Sequence, residues 1–234
     1  MSAANLSSAS RIIVSITGKR LVQCPRGELD LGGVDTSLAR PTEDGTPPTG
    51  PTTDHMSRTA CLDGKMSTAT IRRANADDTE VLGIIGPAAY ADAYGYLWDR
   101  PDAYCDQLRT FGRRAFESLL AQPDARLWIG EVGGAAVGFL SMIVDVVDPI
   151  EHRPGGALIP RVYIIGPTQR TGLGRLLLDA AIERAGTEGL SHIWLDVMAS
   201  ATAARRAYAR WAFREIGRRR YERPVKADLS EWLS

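Results

Sequence analysis

The stretch Gln169 to Ala181, QRTGLGRLLLDAA, governs how the rest of this chain is read. Leu173, Leu176, Leu177, Ala180 and Ala181 recur at the spacing of one apolar helix face, while Arg175, Asp179 and Glu183 fall on the opposite side. The pattern predicts a helix over Leu173 to Ala185, closed by Gly186. The first turn of such a helix leaves N–H groups without intrahelical partners, and the aligned peptide dipoles favour an anion there. Gly172 and Gly174 put no Cβ in the way of a bulky phosphate, and Arg170 and Arg175 add positive charge. The segment reads as a pyrophosphate cradle, with a ligand-free strand-to-helix turn as the plain alternative. A dinucleotide fingerprint would need glycine where Leu177 stands, and a P-loop would need Lys-Ser/Thr where Arg175-Leu176 stand.

Working outward from that helix, the elements alternate. Ala157 to Ile165 is apolar and β-rich, and Pro160 inside it points to a bulge or an unpaired edge. His192 to Met198 alternates strictly, with Ile193, Leu195 and Val197 on one face. Ser200 is a candidate N-cap for a last helix over Thr202 to Ala212, and Phe213 to Glu222 returns as a strand. Upstream, Arg126 to Val132 and Ala136 to Val147 flank a Gly133-Gly134 turn and read as a hairpin. Asp102 to Ala121 reads as one helical stretch, and Ala76 to Trp98 as another, broken at Gly86-Pro87. Thr68 to Arg73 reads as a strand. The order predicts an α/β (α+β) domain around one mixed sheet.

Composition narrows the function classes. The chain has 234 residues, 44% hydrophobic and 24% charged, which suits a soluble globular protein. Its longest apolar runs stop far short of the ~20 residues of a spanning helix, so no membrane partner is expected. Lysine plus arginine balance aspartate plus glutamate at 28 each, and only Arg218-Arg219-Arg220 forms a basic block, which argues against nucleic acid. Cys24, Cys61 and Cys105 have no metal-ligand or disulfide spacing. Reduced thiols in a cytoplasmic protein and no metal site are the expectations.

Residues 1–65 differ from the rest. Thr42 to Lys65 is dense in Pro, Thr, Gly and Asp, and within the first 40 residues only Arg11 to Gln23 suggests a short strand pair. The expectation is a mostly disordered extension over 1–65 and one domain over 66–234. Met66 is a candidate native start, with the upstream segment an over-extended reading frame; a regulatory or targeting tail is the alternative.

Four motifs in this order resemble those of the GNAT superfamily of acyl-CoA-dependent N-acyltransferases. Gln169-Arg170-Thr171-Gly172-Leu173-Gly174 matches its Gln/Arg-x-x-Gly-x-Gly/Ala signature, and Val162-Tyr163-Ile164-Ile165 looks like its fourth strand. Ile193 to Val197 looks like its fifth strand, and Ala207 to Gly217 resembles its closing ALYxxxGFxxxG segment. The similarity runs from about residue 68 to 222. It implies a mostly antiparallel sheet flanked by helices, with a bulged strand splayed to form the acyl-CoA cleft. It implies acetyl-CoA as acyl donor and a small-molecule or peptide amine as acceptor, attacked directly and without an acetyl-enzyme. A homodimer is left open.

Carried over by position, backbone groups of Tyr163 and Ile165, on the strand with Ile164, would hydrogen-bond the pantetheine arm. Amides from Gln169 to Arg175 would take the pyrophosphate. Tyr208 would protonate the departing thiolate, against the bland alternative of a packed tyrosine on a stripe with Ala204, Ala207 and Trp211. Two positions depart from the family pattern, Ala201 in place of an asparagine and Ala212 in place of the glycine before Phe213. The general base is open among Asp145, Glu151, His152 and Asp196. Tyr90, Tyr94, Tyr96, Trp98 and Tyr104 could line the acceptor pocket or simply form core, with Asp92 and Asp99 as candidate ammonium partners. A non-catalytic acyl-CoA-binding or sensing module is the rival reading.

Overall fold

The computed structural model describes residues 10–17, 56–62, 65–220, 223 and 225–226. The strands are β1 (Ser10–Thr17), β2 (Met56–Leu62), β3 (Lys65–Arg73), β4 (Ala125–Val132), β5 (Ala135–Val144), β6 (Gly156–Ile164), β7 (His192–Met198) and β8 (Arg214–Arg220). The helices are α1 (Thr79–Tyr94), α2 (Pro101–Arg109), α3 (Arg113–Leu120), α4 (Leu173–Thr187) and α5 (Thr202–Arg210). One sheet runs β2-β3-β4-β5-β6-β7-β1-β8. Every neighbouring pair is antiparallel except β6 with β7. This is the mixed, mostly antiparallel α/β architecture expected.

Apolar side chains sort into two cores, one on each face. Leu176, Leu177, Ala181 and Ile182 of α4 bury with Ile193, Leu195 and Val197 of β7. On the other face, Leu82, Ile85 and Tyr90 of α1 bury with Phe111, Phe116 and Phe139. The β4–β5 hairpin turns at Gly133 and Gly134, both at positive φ, and ends where Asp145 adopts φ 58°.

Three local expectations are corrected. Helix α1 runs unbroken through Pro87. The stretch Asp102 to Ala121 is two helices, because the chain turns at Thr110 to Gly112 before α3 begins. Gly186 lies inside α4, and the turn beyond it is made by Gly189 at φ 72°.

The larger difference is at the N-terminus. Ser10–Thr17 and Met56–Leu62, within the segment expected to be disordered, are strands of the sheet. β1 lies between β7 and β8, with Ile13 opposite Asp196 on one side and Gly217 on the other. Its Ile13, Val14 and Ile16 are buried, and Arg153 Nη2 donates to Ser15 Oγ at 3.0 Å. A composition window cannot show this, since both partners lie far downstream. β2 pairs with β3 across the expected boundary at residues 65 and 66. Residues 18–23, the rest of the expected strand pair, lie outside the described residues.

Candidate active site

β6 and β7 pair over only three positions, Gly156 with His192, Ala157 with Ile193 and Leu158 with Trp194. Beyond Leu158 the two strands part. The cause lies in β6, whose register against β5 jumps from Ser141↔Arg161 to Ile143↔Leu158, leaving Ile159 and Pro160 opposite Met142. That is the two-against-one count of a β-bulge, at the proline that foretold it.

Backbone direction along the free half of β6 follows from one bond. The Ile165 N–H donates to Val137 O at 2.9 Å, so by strand alternation Arg161, Tyr163 and Ile165 turn their peptide groups toward β5. Val162 and Ile164 face the splay, and Gln169 Nε2 donates to Ile164 O at 3.2 Å from that side. The expectation that Tyr163 and Ile165 present their backbone to a ligand is therefore off by one residue. Tyr163 contributes its ring instead, packed among Tyr90, Tyr94, Phe111 and Phe139.

The start of α4 stands beside the open end of the splay. Gly172 is its N-cap at φ 85°, with no side-chain cap, and a Cβ there would meet nothing within 4 Å. The N–H groups of Leu173 and Gly174 have no carbonyl partner among the described residues. Two of the expected amide donors are already used: Gln169 N–H bonds Gly166 O, and Arg175 N–H bonds Gly172 O. The Arg175 guanidinium pairs with Asp179 at 2.8 Å along the helix, and Thr171 Oγ1 donates to Thr168 O. Arg170, at φ 66°, has its backbone in the left-handed region. Helix α4 seats close to the sheet because Gly130 of β4 leaves room: a Cβ there would lie 2.9 Å from Leu173 Cδ1. The helix start is thus fixed in place, open in front and rich in free donors, and it suits a phosphate group.

Tyr208 on α5 packs against Trp211 and Phe213, with ring centroids 5.9 and 5.6 Å apart. Burial, and secondarily the Tyr94 phenol, push its hydroxyl well above the ordinary tyrosine value, so it stays protonated throughout the neutral range. The turn after it is a Schellman motif in which Phe213 N–H donates to Tyr208 O at 3.0 Å. Ala212 fills the left-handed position of that motif at φ 66°. Ala212→Gly is therefore expected to stabilise the protein by about 1 kcal/mol, the cost of a Cβ at left-handed φ. A rise in the urea midpoint without a change in slope would show it. Ser200 does not cap α5. The N-cap is Ala201 without a side-chain bond, and the Ser200 hydroxyl meets Tyr96 Oη at 3.0 Å.

A cavity of about 480 Å³ opens in the splay on the α1–α3 side. Tyr90, Tyr94, Phe111 and Tyr163 supply its aromatic wall, while Tyr96, Trp98 and Tyr104 are not among its lining residues. Of the four acids and bases considered from sequence, only Asp196 lines it, held by Arg219 Nε at 3.1 Å. Asp145 and His152 are exposed, and Glu151 is tied to Arg153 and Arg214. Asp92 abuts Gly166, and a Cβ at that glycine would lie 2.8 Å from Asp92 Oδ2. Arg161 and Gln107, which sequence reading passed over, also line the cavity. A lone arginine and a lone glutamine carry no local signal of a site. Among the described residues no helix is long and apolar enough to cross a membrane.

The sequence pattern of the acetyltransferase (GNAT) family matches residues 89–213, more than half of the chain. An uncharacterized N-acetyltransferase in the pepI 3′ region of Lactobacillus delbrueckii subsp. lactis is 27% identical over 125 residues, which is 53% of this chain and 72% of that protein. Among solved structures, the PaiA N-acetyltransferase of Thermoplasma acidophilum in complex with coenzyme A superposes with a TM-score of 0.53 at 14% identity, covering 61% of this chain and 87% of that one. The aminoglycoside N-acetyltransferase AAC(6′)-Iy in complex with CoA gives 0.51 at 19% identity, covering 70% and 99%. At those identities the likeness is one of fold.

Proposed function

Because the chain belongs to the acetyltransferase (GNAT) family, we propose that it passes the acetyl group of acetyl-CoA directly to a primary amine of a small molecule or peptide, bound in the cavity between β6 and β7. Membership makes it an acetyl-CoA-dependent acyltransferase. The observation that carries the finer reading is the parting of β6 from β7 after Leu158↔Trp194, beside a helix start with open donors.

The residues divide the work as follows. Leu173 and Gly174 N–H groups hold the pyrophosphate, with Gly172 leaving it room. Peptide groups of Val162 and Ile164 run along the pantetheine arm and fix the thioester against the acceptor, so that positioning supplies much of the rate. The acceptor enters as an ammonium, gives one proton to water, and attacks the thioester carbon as the free amine; the C–S bond breaks and the leaving sulfur carries the charge. Tyr208 faces that charge as a hydrogen-bond donor. Its raised pKa makes full proton transfer to a thiolate of ordinary pKa ~8.5 uphill, so the proton that completes CoA comes from the acylated nitrogen. Asp196, already bound by Arg219, anchors the incoming ammonium.

The direct test is CoA thiol release by the full chain with acetyl-CoA and a panel of amines. Intersecting initial-rate patterns are expected; parallel patterns with a trapped acetyl-protein would overturn direct attack. Binding of acetyl-CoA without release under every amine would favour a sensing module. Tyr208→Phe is expected to lower kcat by about 10- to 100-fold, the worth of a hydrogen bond to a charged group, with KM for acetyl-CoA unchanged. Undiminished turnover would remove Tyr208 from the mechanism.

A further inference from the structure

The cavity wall is unbalanced in charge. Among the described residues it carries the arginines Arg161, Arg219, Arg220 and Arg223 against the single carboxylate Asp196. Arg219 is committed to Asp196. Arg161 has no carboxylate and no hydrogen-bond acceptor among the described residues, and unlike the exposed Arg223 it is partly withdrawn from solvent. Its guanidinium lies over the Phe111 ring at 4.7 Å and over Phe116 at 5.7 Å, stacked but unneutralised. Burial pulls it below the ordinary arginine value, the mark of a cation that has lost water without gaining a counter-ion. A half-buried guanidinium pressed between rings has lost part of its water, and an anionic partner would recover that cost.

A second observation points to the same place. Gln107 is 8% exposed, lines the cavity, and its Oε1 has no hydrogen-bond partner among the described residues. Its amide, in either orientation, is a polar end waiting in the wall that holds Arg161. A purely cationic acceptor would leave Arg161 unanswered. A carboxylate would answer it, since a guanidinium offers a paired donor edge to two oxygens.

We propose that the acceptor is an amino acid, its carboxylate received by Arg161 on β6 and its ammonium by Asp196 on β7, with Gln107 completing the polar contacts. This rests on the acetyl-transfer reading and names its substrate class. The two anchors stand on the strands that part, so an α-amine is offered to the splay where the thioester is held. The aromatic wall of Tyr90, Tyr94 and Phe111 favours an apolar side chain.

The experiment pairs L-methionine, L-phenylalanine and L-glutamine with their α-carboxamides, adds 1,4-diaminobutane and an aminoglycoside as cationic probes, and uses the full chain. CoA release and equilibrium binding by calorimetry are read for each. The acid is expected to exceed its amide in kcat/KM by about 10- to 100-fold, as for one charge-assisted bidentate contact. Arg161→Gln should bring that ratio close to one by raising KM for the acid. Equal use of acid and amide, or preference for the cations, would overturn the proposal while leaving acetyl transfer intact. Carboxylate-dependent binding lost in Arg161→Gln, without CoA release, would keep the anchor and overturn transfer to amino acids. Neither binding nor turnover of any acid would overturn the proposal outright, and the wild-type ratio decides even if the variant fails to fold.

Discussion

Gly172→Glu is expected to raise the dissociation constant for acetyl-CoA by more than about 100-fold, a loss above roughly 2.7 kcal/mol. Two effects act at one atom. Gly172 sits at φ 85°, where any Cβ costs about 1–2 kcal/mol of stability, in the free and the bound protein alike. The new carboxylate also projects from the N-cap toward the donors of Leu173 and Gly174. Beside a bound pyrophosphate, like charges about 4 Å apart repel by about 4 kcal/mol at an effective dielectric of 20. Since a Cβ at this glycine meets nothing within 4 Å, the fold should survive the substitution. Gly172→Ala separates the two effects, for it carries the strain without the charge and should bind only modestly less well. Calorimetric titration of both variants, with dephospho-coenzyme A alongside, checks this. Binding by Gly172→Glu equal to wild type would mean that QRTGLG is only a turn.

Removing residues 1–65 should cost the protein its cooperative fold. Ile13, Val14 and Ile16 are buried, and each fully buried aliphatic side chain is worth about 1.5–3 kcal/mol. Set against a typical total of about 5–15 kcal/mol, loss of the three, together with every hydrogen bond of β1, consumes most or all of the margin. The deletion also opens the edges of β7 and β8, which β1 alone joins. Ile13→Asp is the point version, an unpaired carboxylate at a fully buried position, expected to destabilise by about 4 kcal/mol or more. Urea unfolding followed by circular dichroism measures both. A truncated chain unfolding cooperatively at the wild-type midpoint would show that β1 adds nothing to stability.

What could be read from sequence was what repeats locally. The stripe of Leu173, Leu176 and Leu177, the alternation of Ile193, Leu195 and Val197, and the Gly133-Gly134 turn each fit inside one element, and each was legible. Pro160 announced the bulge because its ring removes a donor from the ladder. Contributions that depend on distant partners were not legible. Ile13 and Val14 gain meaning only from Asp196 and Leu195 across the sheet. The parity error at Tyr163 has the same origin, since which peptide groups of β6 face the splay is decided by Val137 on β5. Arg161 and Gln107 carry no periodic signal, and only their place in the cavity wall singles them out. At Pro87 tertiary packing of α1 overrode a local helix breaker, with Gly86 and Ala89 buried on either side of it.

The place of β1 also sets an order in time. It leaves the ribosome well before either neighbour, since Arg11 pairs with Met198 and Arg219 far downstream. Synthesis proceeds at about 5–20 residues per second, so β1 waits on the order of ten seconds for its first neighbour. Meanwhile β3 to β6 can already associate through nearby pairings, whereas the far third of the sheet must await β7 and β8. The sheet therefore closes on a strand made long before its neighbours, and the wall carrying Asp196 is the last part of the site to become rigid.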